Sequence, residues 1–223
     1  MKRILPVLAL TLLCTALLPA ASVVLTLDSM PPVINGTPVG FVPAHVDGIP
    51  TNIYLSVVCD DEVRSTNIGQ PFAVDISYLA PPMPVLEFAR FKDPNNMDAS
   101  VQKYKQAALL LYSMPSNPAE GSPEALFLRA TQYALWNLMN PAQVNIDTYP
   151  LAQARLQWSF DELANHSGNY SQYFQAVRIY TPTAGYDSNQ EFMGAVPEPA
   201  TLMLVGSVLI GLPLALRRRR KRS

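Results

Sequence analysis

The sequence predicts an α+β domain in which strands at both ends enclose a central group of about three helices. Three observations carry this. Ile53 to Cys59 (Ile-Tyr-Leu-Ser-Val-Val-Cys) is a strand-length run rich in β-branched and aromatic residues. Between Asp98 and Asn165, apolar residues recur at three- and four-residue spacing, the helical period. Strand character returns from Tyr173 to Tyr180. Strands, then helices, then strands are segregated along the chain, which suits α+β better than an alternating α/β sheet.

The elements follow in order. Val23 to Phe91 reads as strands. Val33 to Val46 is broken by Gly36, Pro38, Gly40 and Pro43 and predicts short, interrupted ones. Phe72 to Tyr78 puts Phe72, Val74, Ile76 and Tyr78 on one side and Ala73, Asp75 and Ser77 on the other, a half-buried strand. Asp93, Asn95 and Asp98 resemble a calcium loop only in part. The loop glycine and closing glutamate are missing, so they read as a turn and a helix cap. Val101, Tyr104, Ala108, Leu111 and Tyr112 then form the apolar stripe of a helix from Asp98 to Ser113. Met114 to Pro123, with three prolines and Gly121, is a loop. A second helix spans Ser122 to Met139, with Pro123 at its first position and Asn140-Pro141 ending it. A third opens at Pro150, runs through Leu151, Ala154, Leu156, Trp158 and Leu163, and ends near Gly168. The last strand is expected to pair with Glu191 to Val196, and Gly185 to Pro199 to form a stalk or late edge strand. There is no internal repeat.

The two ends carry targeting signals. Lys2 and Arg3 precede an apolar run from Ile4 to Leu18, and Ala20, Ala21 and Ser22 supply a small-residue cleavage zone. Residues 1–22 therefore read as a secretory signal peptide, which takes Cys14 with it. At the other end Val196, Pro197, Glu198 and Pro199 precede a mostly apolar stretch at about 200–216, near the lower limit for a bilayer-spanning helix. Arg217, Arg218, Arg219, Arg220, Lys221 and Arg222 follow, and a basic cluster of this kind stays cytoplasmic, placing the rest of the chain outside. This arrangement over 195–223 resembles the PEP-CTERM tail, a sorting signal of Gram-negative bacteria read by the membrane protease-transpeptidase exosortase. The resemblance implies an inner-membrane precursor with a periplasmic ectodomain at 23–194. Cleavage near Pro197 to Pro199 then delivers that domain to the cell surface or the medium, with signal peptidase and exosortase as partners.

Charge and cysteine content narrow the function. The chain has 16 basic and 17 acidic residues, but Lys2, Arg3 and the six C-terminal basic residues lie in the targeting ends. Val23 to Pro199 keeps eight basic residues against 17 acidic ones, a net charge of about −9. So acidic a surface repels phosphate, so no nucleic acid partner is expected. The exported part is about 175 residues, enough for one domain with a full core. It keeps a single cysteine, Cys59, so no internal disulfide can form.

Two segments then stand out: Val57-Val58-Cys59-Asp60-Asp61, and Thr131-Gln132-Tyr133-Ala134-Leu135-Trp136. They resemble the paired motifs of bacterial thioester domains, where a strand-end cysteine condenses with the glutamine of a Gln-x-x-hydrophobe-Trp helix. They are similar, too, to the ectodomains of a group of PEP-CTERM proteins of unknown role. The thioester resemblance implies a covalent adhesin that acylates an amine or hydroxyl on a target surface. On a helix Gln132 shares a face with Leu128, Leu135, Trp136 and Met139, where an unpaired amide loses roughly 1–3 kcal/mol. A link to Cys59 or hydrogen bonds to backbone would each resolve that. Thr131 stands where the thioester motif has a hydrophobe, and Asp60 and Asp61 disfavour a thiolate.

Other chemistry is sparse. Cys59 with His45 or His166 would make a cysteine-hydrolase pair, but two isolated histidines give no spacing signal. Asp60, Asp61 and Glu62 form an acidic cluster that could hold calcium but reads rather as a solvated turn, and Trp136 and Trp158 read as core residues of their helices rather than carbohydrate-stacking ones. No metal motif, phosphate-cradling loop or nucleophile elbow is present, so no cofactor and no metal is expected. The expected role is thus non-catalytic, structural or adhesive, with extracellular polysaccharide or another surface as target. A Cys59–Gln132 thioester adhesin is the alternative, and a cysteine hydrolase a second one.

Overall fold

The computed structural model describes residues 23–47, 53–62, 64–81 and 85–196. The expected signal peptide, the motif residues Pro197, Glu198 and Pro199, the expected transmembrane helix and the basic residues Arg217 to Arg222 lie outside the described residues. Among the described residues no helix is long and apolar enough to cross a membrane.

Six strands close into an antiparallel barrel: β1 (Val23–Leu27), β4 (Val42–Asp47), β5 (Ile53–Cys59), β8 (Phe192–Ala195), β7 (Val177–Pro182) and β6 (Phe72–Tyr78), with β6 returning to β1. A separate hairpin of β2 (Val33–Ile34) and β3 (Thr37–Pro38) turns at Asn35-Gly36. The helices α1 (Met97–Tyr112), α2 (Pro123–Met139) and α3 (Pro150–His166) follow β6 as one block, and a 3₁₀ turn and short α4 (Ser171–Ala176) lead into β7. This is the expected α+β arrangement, with the strands of both chain ends meeting in one closed sheet.

The alternation in each strand fills the barrel. Leu25, Leu27, Val42, Ala44, Val46, Val57, Phe72, Val74, Tyr180 and Phe192 form its interior. Ile76 packs against them as its period-two position requires. Ser77 faces the other way yet is fully buried, because residues 85–91 run over it and Phe88 N–H donates to its hydroxyl (2.8 Å). Gly194 pairs with Val57, and a Cβ there would stand 2.9 Å from the Ser56 carbonyl, so glycine lets β8 seat against β5.

A second core lies between the barrel and the helices. Ala107 to Leu111 of α1 are all buried, so this helix has apolar neighbours on every side of its second half. Its expected stripe ends one residue early, because Tyr112 is 58% exposed. The caps follow sequence rules: Asn96 accepts from Ala99 N–H at the start of α1, and Ser122 accepts from Ala125 N–H at the start of α2.

Three expectations need correction. Tyr173 to Ala176 belongs to α4, and the strand starts only at Val177, where the chain reaches β6 and β8. Phe192 to Ala195 pairs with β7 as expected but also with β5, so it is an inner barrel strand and neither a stalk nor an edge. The fully packed face of α3 is Ala152, Arg155, Ser159 and Leu163; Leu156 and Trp158 of the expected stripe also pack against the core, while Leu151 and Ala154 are exposed. Arg155 can be buried because its guanidinium lies between the rings of Phe127 (4.3 Å) and Trp158 (4.1 Å) and bonds Thr131 and Ser113 hydroxyls.

Candidate functional site

The last residue of β5 and the middle of α2 meet at one point. Cys59 ends its strand where β5 passes between β4 and β8, and Gln132 projects from the buried face of α2. The Gln132 carboxamide, 1% exposed, donates from Nε2 to the Cys59 carbonyl (2.7 Å) and accepts at Oε1 from Gly40 N–H (3.1 Å). Trp136, one helical turn on, donates from Nε1 to the same Cys59 carbonyl (3.1 Å). The two predicted residues are thus brought together, with the tryptophan of the Gln-x-x-x-Trp spacing clamping the strand end.

Gly40 is the part that sequence reasoning missed. Its φ is +91°, and a Cβ would come 2.9 Å from Leu128 Cδ2. Only glycine both adopts this conformation without strain and lets the backbone approach α2 closely enough for its N–H to reach Gln132. An N–H aimed at an amide oxygen polarises that carbonyl and stands ready for a negative oxygen in acyl transfer.

Cys59 and Gln132 both line a cleft of about 300 Å³ with Met30, Glu62, Trp136 and Phe192. The half-buried Cys59 donates its thiol hydrogen to the Asp61 carbonyl (2.8 Å). Burial pushes this thiol well above its ordinary range, and the adjoining Asp60 adds to the effect. A thiol of high pKa is a weak nucleophile, but it is also a reluctant leaving group, so an acyl bond to it is slow to hydrolyse.

The Asp-Asp pair is no solvated turn. Both residues are fully buried, and only Glu62 is exposed. Asp61 accepts from Arg90 (2.6 Å) and Arg64 (3.0 Å), and Gln190 Nε2 donates to its carbonyl. Asp60 lies against Glu191, also fully buried. Glu191 accepts from Tyr104 O–H (2.6 Å), Arg90 N–H (2.7 Å) and the Thr181 hydroxyl. Burial raises both carboxyls; Glu191 raises Asp60 further, whereas the Thr181, Tyr104 and Arg90 donors oppose the rise of Glu191. Nothing in the local pattern of Gln190-Glu191-Phe192 announces this, since the partners come from four distant segments.

The remaining candidates fall elsewhere. His45 pairs with Asp28 (2.6 Å) on the barrel wall and His166 with Glu162 (3.3 Å) at the end of α3; neither lines the cleft. Among the described residues no three His, Cys, Asp or Glu side chains gather to hold a metal ion. Asp93 accepts from Asn95 N–H in a turn, and Asn96 is the helix cap. Of the expected motif residues Val196 to Pro199, only Val196 is described; its N–H donates to the Ala176 carbonyl at the end of the barrel.

Residues 195–220 match the PEP-CTERM protein-sorting motif. The match supports a PEP-CTERM protein and implies that it is secreted, processed by exosortase and brought to the cell surface. No curated protein and no solved structure shows a significant match to the chain.

Proposed function

We propose that the exported domain is a surface adhesin that holds its target through a Cys59–Gln132 thioester, and that it works without catalytic turnover. The observation that carries this reading is the buried Gln132 carboxamide, set beside the strand end that bears the only exported thiol and polarised by Gly40 N–H. In forming the bond, Cys59 Sγ attacks Gln132 Cδ, the developing oxyanion is held by Gly40 N–H, and the amide nitrogen leaves as ammonia with the thiol proton. The tail keeps the precursor in the inner membrane with the domain outside, until exosortase cuts near Pro197 to Pro199.

A second reading is favoured by one fact: both ends of the Gln132 carboxamide already have backbone partners. Cys59 and Gln132 then only tie β5 to α2 in a non-covalent structural or matrix protein, with extracellular polysaccharide as a partner. Intact mass separates the two. A thioester makes the purified domain lighter than its sequence by about 17 Da, one ammonia, and methylamine abolishes the deficit by adding at Gln132. An unmodified mass with a free thiol leaves the structural reading. The sorting step is tested by sequencing the mature C-terminus from cells with and without exosortase; if both end at Ser223, it is wrong.

A further inference from the structure

A second cleft, of about 610 Å³, lies against the chain segment that also serves the Cys59 cleft. Gly40 and Val42 line the Cys59 cleft while Phe41 and Pro43 line this one, the period-two alternation of an extended chain. The two clefts share no lining residue. We infer that the larger cleft binds a neutral polysaccharide chain, with Tyr112 as the ring on which a sugar stacks and Asp28 as the acceptor for its hydroxyls. The site is separate from the Cys59–Gln132 pair and holds with or without a thioester.

Tyr112 lines this cleft, and its exposure there leaves most of its ring open to a ligand. The ring is nonetheless held in place: Tyr173 meets it at 4.9 Å and Tyr170 at 5.5 Å, both close to edge-on. A ring that is exposed but cannot swing loses little freedom when a ligand covers it. Asp28 is fixed as well. His45 Nδ1 lies 2.6 Å from its Oδ1, and its own N–H donates to the Pro43 carbonyl (2.8 Å). Oδ2 can then accept from ligand hydroxyls, and the exposed Ser56 and Ser116 add two hydroxyls of their own. The ligand must therefore offer an apolar face to a ring and hydroxyls to a carboxylate. Pyranose units do both, with C–H groups on their faces and hydroxyls around their edges. No lysine or arginine lines the cleft among the described residues, and the exported part is strongly acidic, so a polyanion is repelled. Leu55, Leu111 and Met114 line the cleft but are themselves buried, which leaves far less apolar surface than a protein partner needs. The cleft is open along one side, so the interior of a polymer can lie in it as well as an end.

The experiment is affinity electrophoresis of the exported protein purified from cells, in native gels containing dextran, galactomannan or hydroxyethyl cellulose, with alginate as the polyanion. At least one neutral polymer should retard the protein, and alginate should not. Free oligosaccharide cut from the same polymer should reverse the retardation, which a covalent ester to Gln132 would not allow. Tyr112→Ala should lower the affinity by on the order of tenfold. Tyr112→Phe should keep most of it, because the ring remains, and Asp28→Asn should weaken it by about threefold or more. Thermal melts check that each variant folds; where Tyr112→Ala itself melts early, Asp28→Asn carries the test. The inference is overturned if no neutral polymer retards the protein, if alginate retards it equally, or if the retardation cannot be reversed. Folded Y112A and D28N proteins retarded as strongly as the wild type overturn it too.

Discussion

At the scale of single residues, the site depends on groups whose type admits little substitution. Gly40→Ala puts a methyl group against Leu128 and a side chain on a φ of +91°. We expect a loss of about 1–3 kcal/mol in urea denaturation. Withdrawal of the N–H from Gln132 should follow, seen as a smaller thioester fraction by mass. Asp60 gives a pH signature. Its carboxyl is raised in the folded state by burial first and by Glu191 second. At acid pH, below the ordinary carboxylate range, it is protonated in both states and costs nothing. As pH rises through that range, only the unfolded chain releases the proton, so stability falls towards the raised folded value. Asp60→Asn, which keeps the shape and cannot ionise, should therefore gain on the wild type between acid and neutral pH. Denaturation curves showing a constant difference across that window would rule this out.

Between elements, the end of β5 is held by more than its sheet. Asp61 is bound by Arg90 and Arg64, and Arg90 also donates to the Asn189 carbonyl, so the β7–β8 connection and residues 85–91 share one ionic knot. Asp61→Ala leaves a largely buried Arg90 without its carboxylate and should cost about 3 kcal/mol or more, measured by chemical denaturation. The local elements were legible: β5 was read with its observed bounds, and Pro123 and Pro150 mark the starts of α2 and α3. Those signals act over a few residues. What was hidden depends on distant partners. Asp60 and Asp61 look like a surface turn until Arg90 pairs with Asp61 and Glu191, itself bonded by Tyr104, packs against Asp60, and Arg155 breaks the apolar stripe of α3 because two rings accept its cation. The pairing of Cys59 with Gln132 was suggested by resemblance, while Gly40, which completes it, gave no signal beyond its place among prolines and glycines. The burial of Phe192 to Ala195 between two strands was likewise invisible, since a four-residue run carries no record of how many neighbours it has.

Over the whole molecule, the closed barrel ends where the sorting motif begins. β8 runs to Ala195 and the motif match starts at the same residue. A chain ending at Val196 should fold, whereas one ending at Gln190 lacks β8 and Glu191 and should give no cooperative transition in circular dichroism. β8 is also the last strand of the barrel to be synthesised. Until it arrives, β5 and β7 have open edges and Phe192 has yet to form its wall of the Cys59 cleft. Order of synthesis thus becomes a clock: the thiol meets its finished surroundings only once the chain has been made as far as the start of the sorting motif.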